Sequence, residues 1–188
     1  MNREYLNGDT KNMINSSKGL PDFTHIGSIQ WDSSWPKLAE ENERHSLFLY
    51  LEDRFGIPER LFDDYLLFTR KKSWSIMKKS PQVIPAAQLK VSKVGLKAFQ
   101  KVGAFVKPTT RMIQTFGHTA TRARLEIDQR QLERFLGGED LPIALDLEKG
   151  YVILSLGEDM ILGAGFYGDG KIRSQIPRKE LRKAMLQM

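Results

Sequence analysis

The chain contains no cysteine, which excludes disulfides, thiolate metal sites and cysteine nucleophiles whatever the fold. Histidine is scarce. His25, His45 and His118 stand far apart and show no HExxH-type spacing, which argues against a histidine metal site. No stretch approaches the roughly eighteen apolar residues of a membrane span. The polar region from Met1 to Ser28 lacks the apolar core of a secretory signal, so a cytoplasmic protein is expected. The most informative absence is one of charge. From Tyr65 to Leu125 there is neither aspartate nor glutamate, although the acid frequency of the whole chain would place about seven carboxylates in such a window. The same window carries 13 lysines and arginines. The closing segment from Lys171 adds a net +5, which leaves −12 for the remainder of a chain whose formal total is +6. Soluble surfaces usually mix both signs. A segregated positive field mainly attracts a polyanion, and a phosphate backbone is the obvious one.

With 188 residues, 40% of them hydrophobic, the chain can bury a core as one domain or two small ones. Residues 1–30 are rich in Asn, Ser, Gly, Asp and Thr without periodicity, and read as a flexible tail. Helical spacing from Pro36 to Arg54, with an acidic first half and Gly56 as a stop, predicts an amphipathic helix. A second helix is expected from Pro58 through Leu61, Phe62, Tyr65 and Leu66. Leu67–Arg70 and Ser73–Ile76 read as two strands around a Lys71-Lys72 turn, Pro81 to Pro85 as a connection, and Val91 to Ala98 as strand-like. Pro108 opens a short helix closed by Gly117, and residues 123–127 form a strand. Asp128 then caps a helix that Gly137-Gly138 stops. The clearest β signal is Tyr151–Leu156, a Gly157-Glu158-Asp159 turn, Met160–Tyr167, a Gly168-Asp169-Gly170 turn and Lys171–Arg173, followed by a last helix from Arg178 to Leu186. Helices first and strands later, without β-α-β alternation, predict an α+β protein. The expected division is a helix-rich unit with a short hairpin over 31–86 and a compact, barrel-like β unit over 87–188.

A catalytic reading finds little support. Asp63-Asp64, Glu139-Asp140 and Glu158-Asp159 are adjacent pairs, which point to opposite faces of a strand or decorate turns. No serine elbow, Walker loop or metal triad is present. Gly163-Ala164-Gly165-Phe166-Tyr167-Gly168 spells G-x-G-x-x-G, yet a nucleotide loop needs a helix opening on the glycines and a later acidic residue on a parallel strand. Here a second turn and Pro177 follow, so the glycines are read as letting a curved barrel strand bend. No enzyme activity, cofactor or metal is expected.

Basic and aromatic residues interleave within the acid-free block, a combination suited to RNA, whose bases stack on aromatic faces while cations neutralise phosphates. Phe68, Trp74, Phe99 and Phe105 fit that role, and each also fits a core position beside solvated lysines. The candidate contacts from this block are Arg70, Lys71, Lys72, Trp74, Lys78, Lys79, Lys107 and Arg111.

Residues 134–141 (RFLGGEDL), 150–154 (GYVIL), 161–165 (ILGAG), 170–173 (GKIR) and 177–182 (PRKELR) together resemble the carboxy-terminal region of the Nop/Sun family of RNA 5-methylcytosine methyltransferases. There a Y-L-x-G-E-x-L element precedes a strand, an L-G-x-G turn, a G-x-x-K stretch and a final P-K-x-L-R. The resemblance covers the last third of the chain well and Gly95 to Ile127 loosely. It implies a PUA-like RNA-binding barrel with a small preceding domain, here without the catalytic domain or the nucleophilic cysteine of those enzymes. It further implies that the turn containing Gly163 and Gly165 approaches an RNA backbone, and that Lys171, Arg173, Arg178, Lys179 and Arg182 contact phosphates. The expectation is a non-catalytic protein that binds structured rRNA or tRNA in ribosome biogenesis, rRNA processing or RNA modification. An RNA-modifying enzyme or a pre-ribosomal particle is a further expected partner, and DNA is not specifically implied. The alternative is a protein–protein adaptor that docks its basic surface on an acidic partner such as an RNA methyltransferase subunit.

Overall fold

Two sheets share one apolar core in the computed structural model, which describes residues 29–157 and 160–186. The expected tail lies almost wholly outside these residues, as do Glu158 and Asp159 of one expected turn. Among the described residues no helix is long and apolar enough to cross a membrane.

The first sheet runs β1 (Lys37–Leu38), β2 (Tyr65–Arg70), β3 (Ser73–Lys78), β4 (Leu96–Val102) and β5 (Phe105–Pro108), each antiparallel to its neighbour. Helix α1 (Glu41–Phe55) covers one face of it, burying Leu47, Phe48, Leu51 and Phe55 at helical spacing. Gly56 ends it in the left-handed region at φ 67°, returning its N–H to the Glu52 and Leu51 carbonyls. The helix starts later than the sequence suggests because Lys37 and Leu38 pair with Thr69 and Phe68, covering the otherwise open edge of β2.

The expected second helix is a single 3₁₀ turn, Glu59–Phe62, and Tyr65 and Leu66 already belong to β2. That strand is buried on both faces. Leu67 enters the main core, while Leu66 and Phe68 join a smaller cluster with Val83 and Val94. A strand buried on both sides reads as a continuous apolar run, which periodicity cannot tell from a helix. The expected connection around Pro81 holds one helical turn, α2 (Val83–Ala86), and Val91 and Val94 lie in the loop before β4.

Next come α3 (Thr110–Phe116), capped by the Thr109 hydroxyl, and a 3₁₀ turn at Gly117–Thr119. The second sheet follows with β6 (Arg124–Ile127), α4 (Gln129–Gly137), β7 (Leu141–Pro142), β8 (Gly150–Leu156), β9 (Met160–Gly168), β10 (Lys171–Ser174) and α5 (Arg178–Leu186). Asp128 and Gln131 form a reciprocal capping box on α4, and Gly138 closes it at φ 87°. The strand order is β6-β8-β9-β10-β7, with β6 and β8 parallel and the other pairs antiparallel. β6 and β7 remain edges, so the sheet curls into a half-barrel. The fold is α+β, as expected.

The sheets divide the chain later than position 86/87. That point falls between β3 and β4, which are hydrogen-bonded neighbours with Trp74 opposite Phe99. The first sheet ends only at Pro108. An aromatic chain then crosses to α3: Phe48 stacks on Phe62 at 4.4 Å, and Phe62 meets Phe116 edge-on at 5.0 Å. Each such pair contributes about 0.5–1.5 kcal/mol beyond its buried area. Phe116, Ile153 and Leu162 lie in the same core cluster as Phe48 and Phe99.

Candidate nucleic-acid interface

Cross-strand register sorts the first sheet into an inner and an outer face. Trp74 and Phe99 lie opposite each other and are buried in the main core. Arg70 pairs with Ser73, Ser73 with Gln100, and Gln100 with Lys107. These residues form a row across four strands, about 14 Å long at strand spacing. A bulge opposite Trp74 and Ser75 adds Lys97 to the outer face. Strict alternation would hide either Ala98 or Phe99 from the core. The extra residue lets both be fully buried and turns Lys97 and Gln100 outward together. The Lys97 Nζ accordingly donates to the Gln100 Oε1 at 2.9 Å.

This row reaches the second sheet at Lys107. Its Nζ donates to the Gln175 backbone carbonyl at 3.3 Å and side-chain oxygen at 3.1 Å, and partial burial lowers its pKa. One turn further on, Arg111 lies 3.9 Å from Glu180 of α5. Helix α5 buries Leu181 and Ala184 and exposes Arg178, Lys179, Arg182 and Lys183. The acid-free block and the closing segment thus touch at two points, β5 against Gln175 just before α5 and α3 against Glu180 within it. The Lys71-Lys72 turn sits at the Arg70 end of the row, with Lys71 at φ 55°, and Lys101 donates its backbone N–H to the Lys72 carbonyl at 2.8 Å.

Other expected contacts are placed elsewhere. Lys78 and Lys79 close the opposite end of the hairpin, where the Lys79 Nζ donates to the Asp63 carbonyl at 2.6 Å. They do not share the edge occupied by Lys71 and Lys72. Trp74 is only 9% exposed and donates its indole N–H to the Glu43 Oε1 at 2.8 Å, so its ring is core and offers no free face for a base. Gly163 and Gly165 are buried within β9 rather than in a turn. A Cβ on Gly163 would lie 2.9 Å from Ile176 and one on Gly165 2.7 Å from Ile172, so these glycines admit protein side chains and not an RNA backbone. Their G-x-G-x-x-G run is continuous strand, paired with β8 and β10, and no helix opens on it.

Lys171 and Arg173 are exposed but engaged. The Lys171 Nζ lies 2.9 Å from Asp140, and Arg173 donates to both carboxylate oxygens at 3.2 Å. These bonds, Arg173 first, pull the Asp140 pKa down to about 2. The depressed value means that the ionised carboxylate stabilises the fold above its unfolded pKa near 4, and that this contribution fades as pH falls towards 2. Asp140→Asn should therefore lower the urea midpoint at pH 5, with the difference from wild type vanishing near pH 2. An equal difference at both pH values would contradict the assigned clamp. Among the described residues no group of His, Cys, Asp or Glu could hold a metal ion.

Sequence reasoning did not single out Lys97, Gln100 or Gln175 as site residues. The pattern Lys-Ala-Phe-Gln, polar at both ends with two apolar residues between, was the available signal of a bulge.

Comparison with known proteins adds to this geometry. Residues 122–183 match the family of the methyltransferase RsmF PUA domain. The chain is also similar to a conserved PUA domain protein from Thermoplasma acidophilum, at 14% identity and a TM-score of 0.49, over 79% of this chain and 97% of that one. No curated protein matches the chain. The span of the family match runs from just before β6 into α5 and takes in the whole second sheet, so the likeness to a PUA domain lies in that sheet.

Proposed function

We propose that the chain binds structured RNA, an rRNA or tRNA fragment, without catalysing a reaction on it, and that it acts in ribosome biogenesis or RNA modification with any chemistry performed by another protein. The observation that carries this reading is the pair of contacts Lys107–Gln175 and Arg111–Glu180, which bring a face drawn from a block without carboxylates beside the closing segment that exposes four cations on α5. Affinity comes mainly from phosphate neutralisation, since the one indole in the basic block lies in the core.

Binding of a structured rRNA or tRNA fragment should fall by roughly 0.7–0.9 log units per log unit of salt for each neutralised phosphate. Lys71→Glu/Lys72→Glu should weaken that binding and reduce the salt slope by about one unit for each lost contact. Both side chains are exposed in a turn, so the urea midpoint should not move. A flat salt dependence would remove RNA as the partner. Purification with a stoichiometric acidic polypeptide, in place of nuclease-sensitive material, would instead favour the adaptor.

A further inference from the structure

A cleft of about 400 Å³ opens on the outer face of the first sheet, away from the PUA-like region. Its floor is Phe68 and Val94, and three cations, Arg70, Lys93 and Lys97, stand around it. Ser75 and Ser92 add hydroxyls, and the lining contains no carboxylate. Among the described residues Arg70 and Lys93 have no ion-pair or side-chain hydrogen-bond partner, and Lys97 bonds only the neutral amide of Gln100. Three like charges around one small cleft repel each other, and a bound anion removes that repulsion.

The cleft is held in shape by contacts of its own walls. The Val91 N–H donates to the Ser34 Oγ at 2.8 Å, and the Trp35 indole donates to the Leu89 carbonyl at 2.9 Å. Beneath the floor Trp31 and Trp35 pack on Phe68, with ring centres 5.4 and 5.8 Å away. Gly95, at φ 56°, turns the chain from the Lys93 loop into β4 where any Cβ would overlap the Ile76 carbonyl. Asp32 is the carboxylate of the wall segment. It accepts the Ser34 N–H at 2.9 Å and is not part of the lining. The cations are therefore offered to a ligand by a braced scaffold.

We propose that this cleft holds one nucleotide unit of an RNA chain, its phosphate among Arg70, Lys93 and Lys97. The volume falls at the lower end of small-ligand sites, as a single nucleotide requires. Continuity favours a polymer over a free mononucleotide, because Gln100 links Lys97 to the row ending at Lys107, whose partner Gln175 lies just before α5. This assignment rests on the RNA reading above and extends it to a contact outside residues 122–183.

The test uses the full chain, fluorescein-labelled decauridylate and fluorescence anisotropy, with uridine 5′-monophosphate as competitor. Lys93→Glu/Lys97→Glu should weaken decamer binding roughly tenfold or more and lower the salt slope by about one unit or more, with an unchanged urea midpoint. Lys93→Arg/Lys97→Arg should retain binding. If Lys93→Glu/Lys97→Glu binds as wild type while Lys179→Glu/Arg182→Glu does not, the cleft assignment fails and the RNA reading stands. Binding of the structured fragment but not of the decamer by the wild type also overturns the cleft alone, and binding of neither overturns both. Displacement of the decamer by the monophosphate at equal affinity would mean a free-nucleotide site and overturn the polymer assignment.

Discussion

Gly165→Val is expected to lower the stability of the folded protein by about 3 kcal/mol and to leave RNA affinity per folded molecule unchanged. The position lies in β9 opposite Ser174 of β10 and Val152 of β8, in the middle of the second sheet. Its missing side chain is replaced by the Ile172 Cγ2, 2.7 Å from where a Cβ would stand, and by the Leu154 Cδ1 at 3.1 Å. Both neighbours are fully buried and cannot swing into solvent. Gly163→Ala should also destabilise, by about 1–3 kcal/mol, because φ there is +148° and Ile176 and Thr110 stand 2.9 and 3.0 Å from the added carbon. Urea unfolding followed by circular dichroism reads both. A Gly165→Val protein as stable as wild type but unable to bind RNA would reinstate the glycines as a backbone contact.

Trp74→Ala should cost about 3–5 kcal/mol, the range for removing a large buried aromatic. The indole fills the inner face of the first sheet opposite Phe99, and its N–H satisfies the Glu43 carboxylate from α1. Trp74→Phe keeps most of the volume and loses the donor, so a smaller loss of about 1–3 kcal/mol is expected from the unpaired partner. A stacking platform for RNA would behave in the opposite way, with little change in the urea midpoint and a large drop in affinity.

Those two corrections have a common physical origin. Composition revealed the segregated charge, because a net excess is a count that needs no knowledge of packing; it did not reveal that Lys107 would bond Gln175 and Arg111 would face Glu180. The hairpin around Lys71-Lys72 and the closing β9–β10 pair were readable because short turns and period-two patterns are local. Asp128 and Gly138 marked the ends of α4 for the same reason. What could not be read locally was the side of the sheet on which a residue lies. Trp74 sits among lysines in sequence but across the sheet from Arg70 and Lys97. The glycines of β9 look like a loop motif, and only the neighbouring strands show that Ile172 and Ile176 fill the space beside them. Tyr65 and Leu66, at the start of β2, looked helical because two different clusters take the two faces of that strand.

The shared apolar cluster also bears on how this protein can be cut. Phe48, Phe62 and Phe99 from the first sheet layer interlock with Phe116, Ile153 and Leu162 beyond it. A fragment trimmed to residues 122–183 would leave the interior side of β8 and β9 bare, without α1 or α3 to shield it. Such a fragment should aggregate rather than serve as a portable cassette, so grafting the module onto another protein requires carrying the upstream half with it.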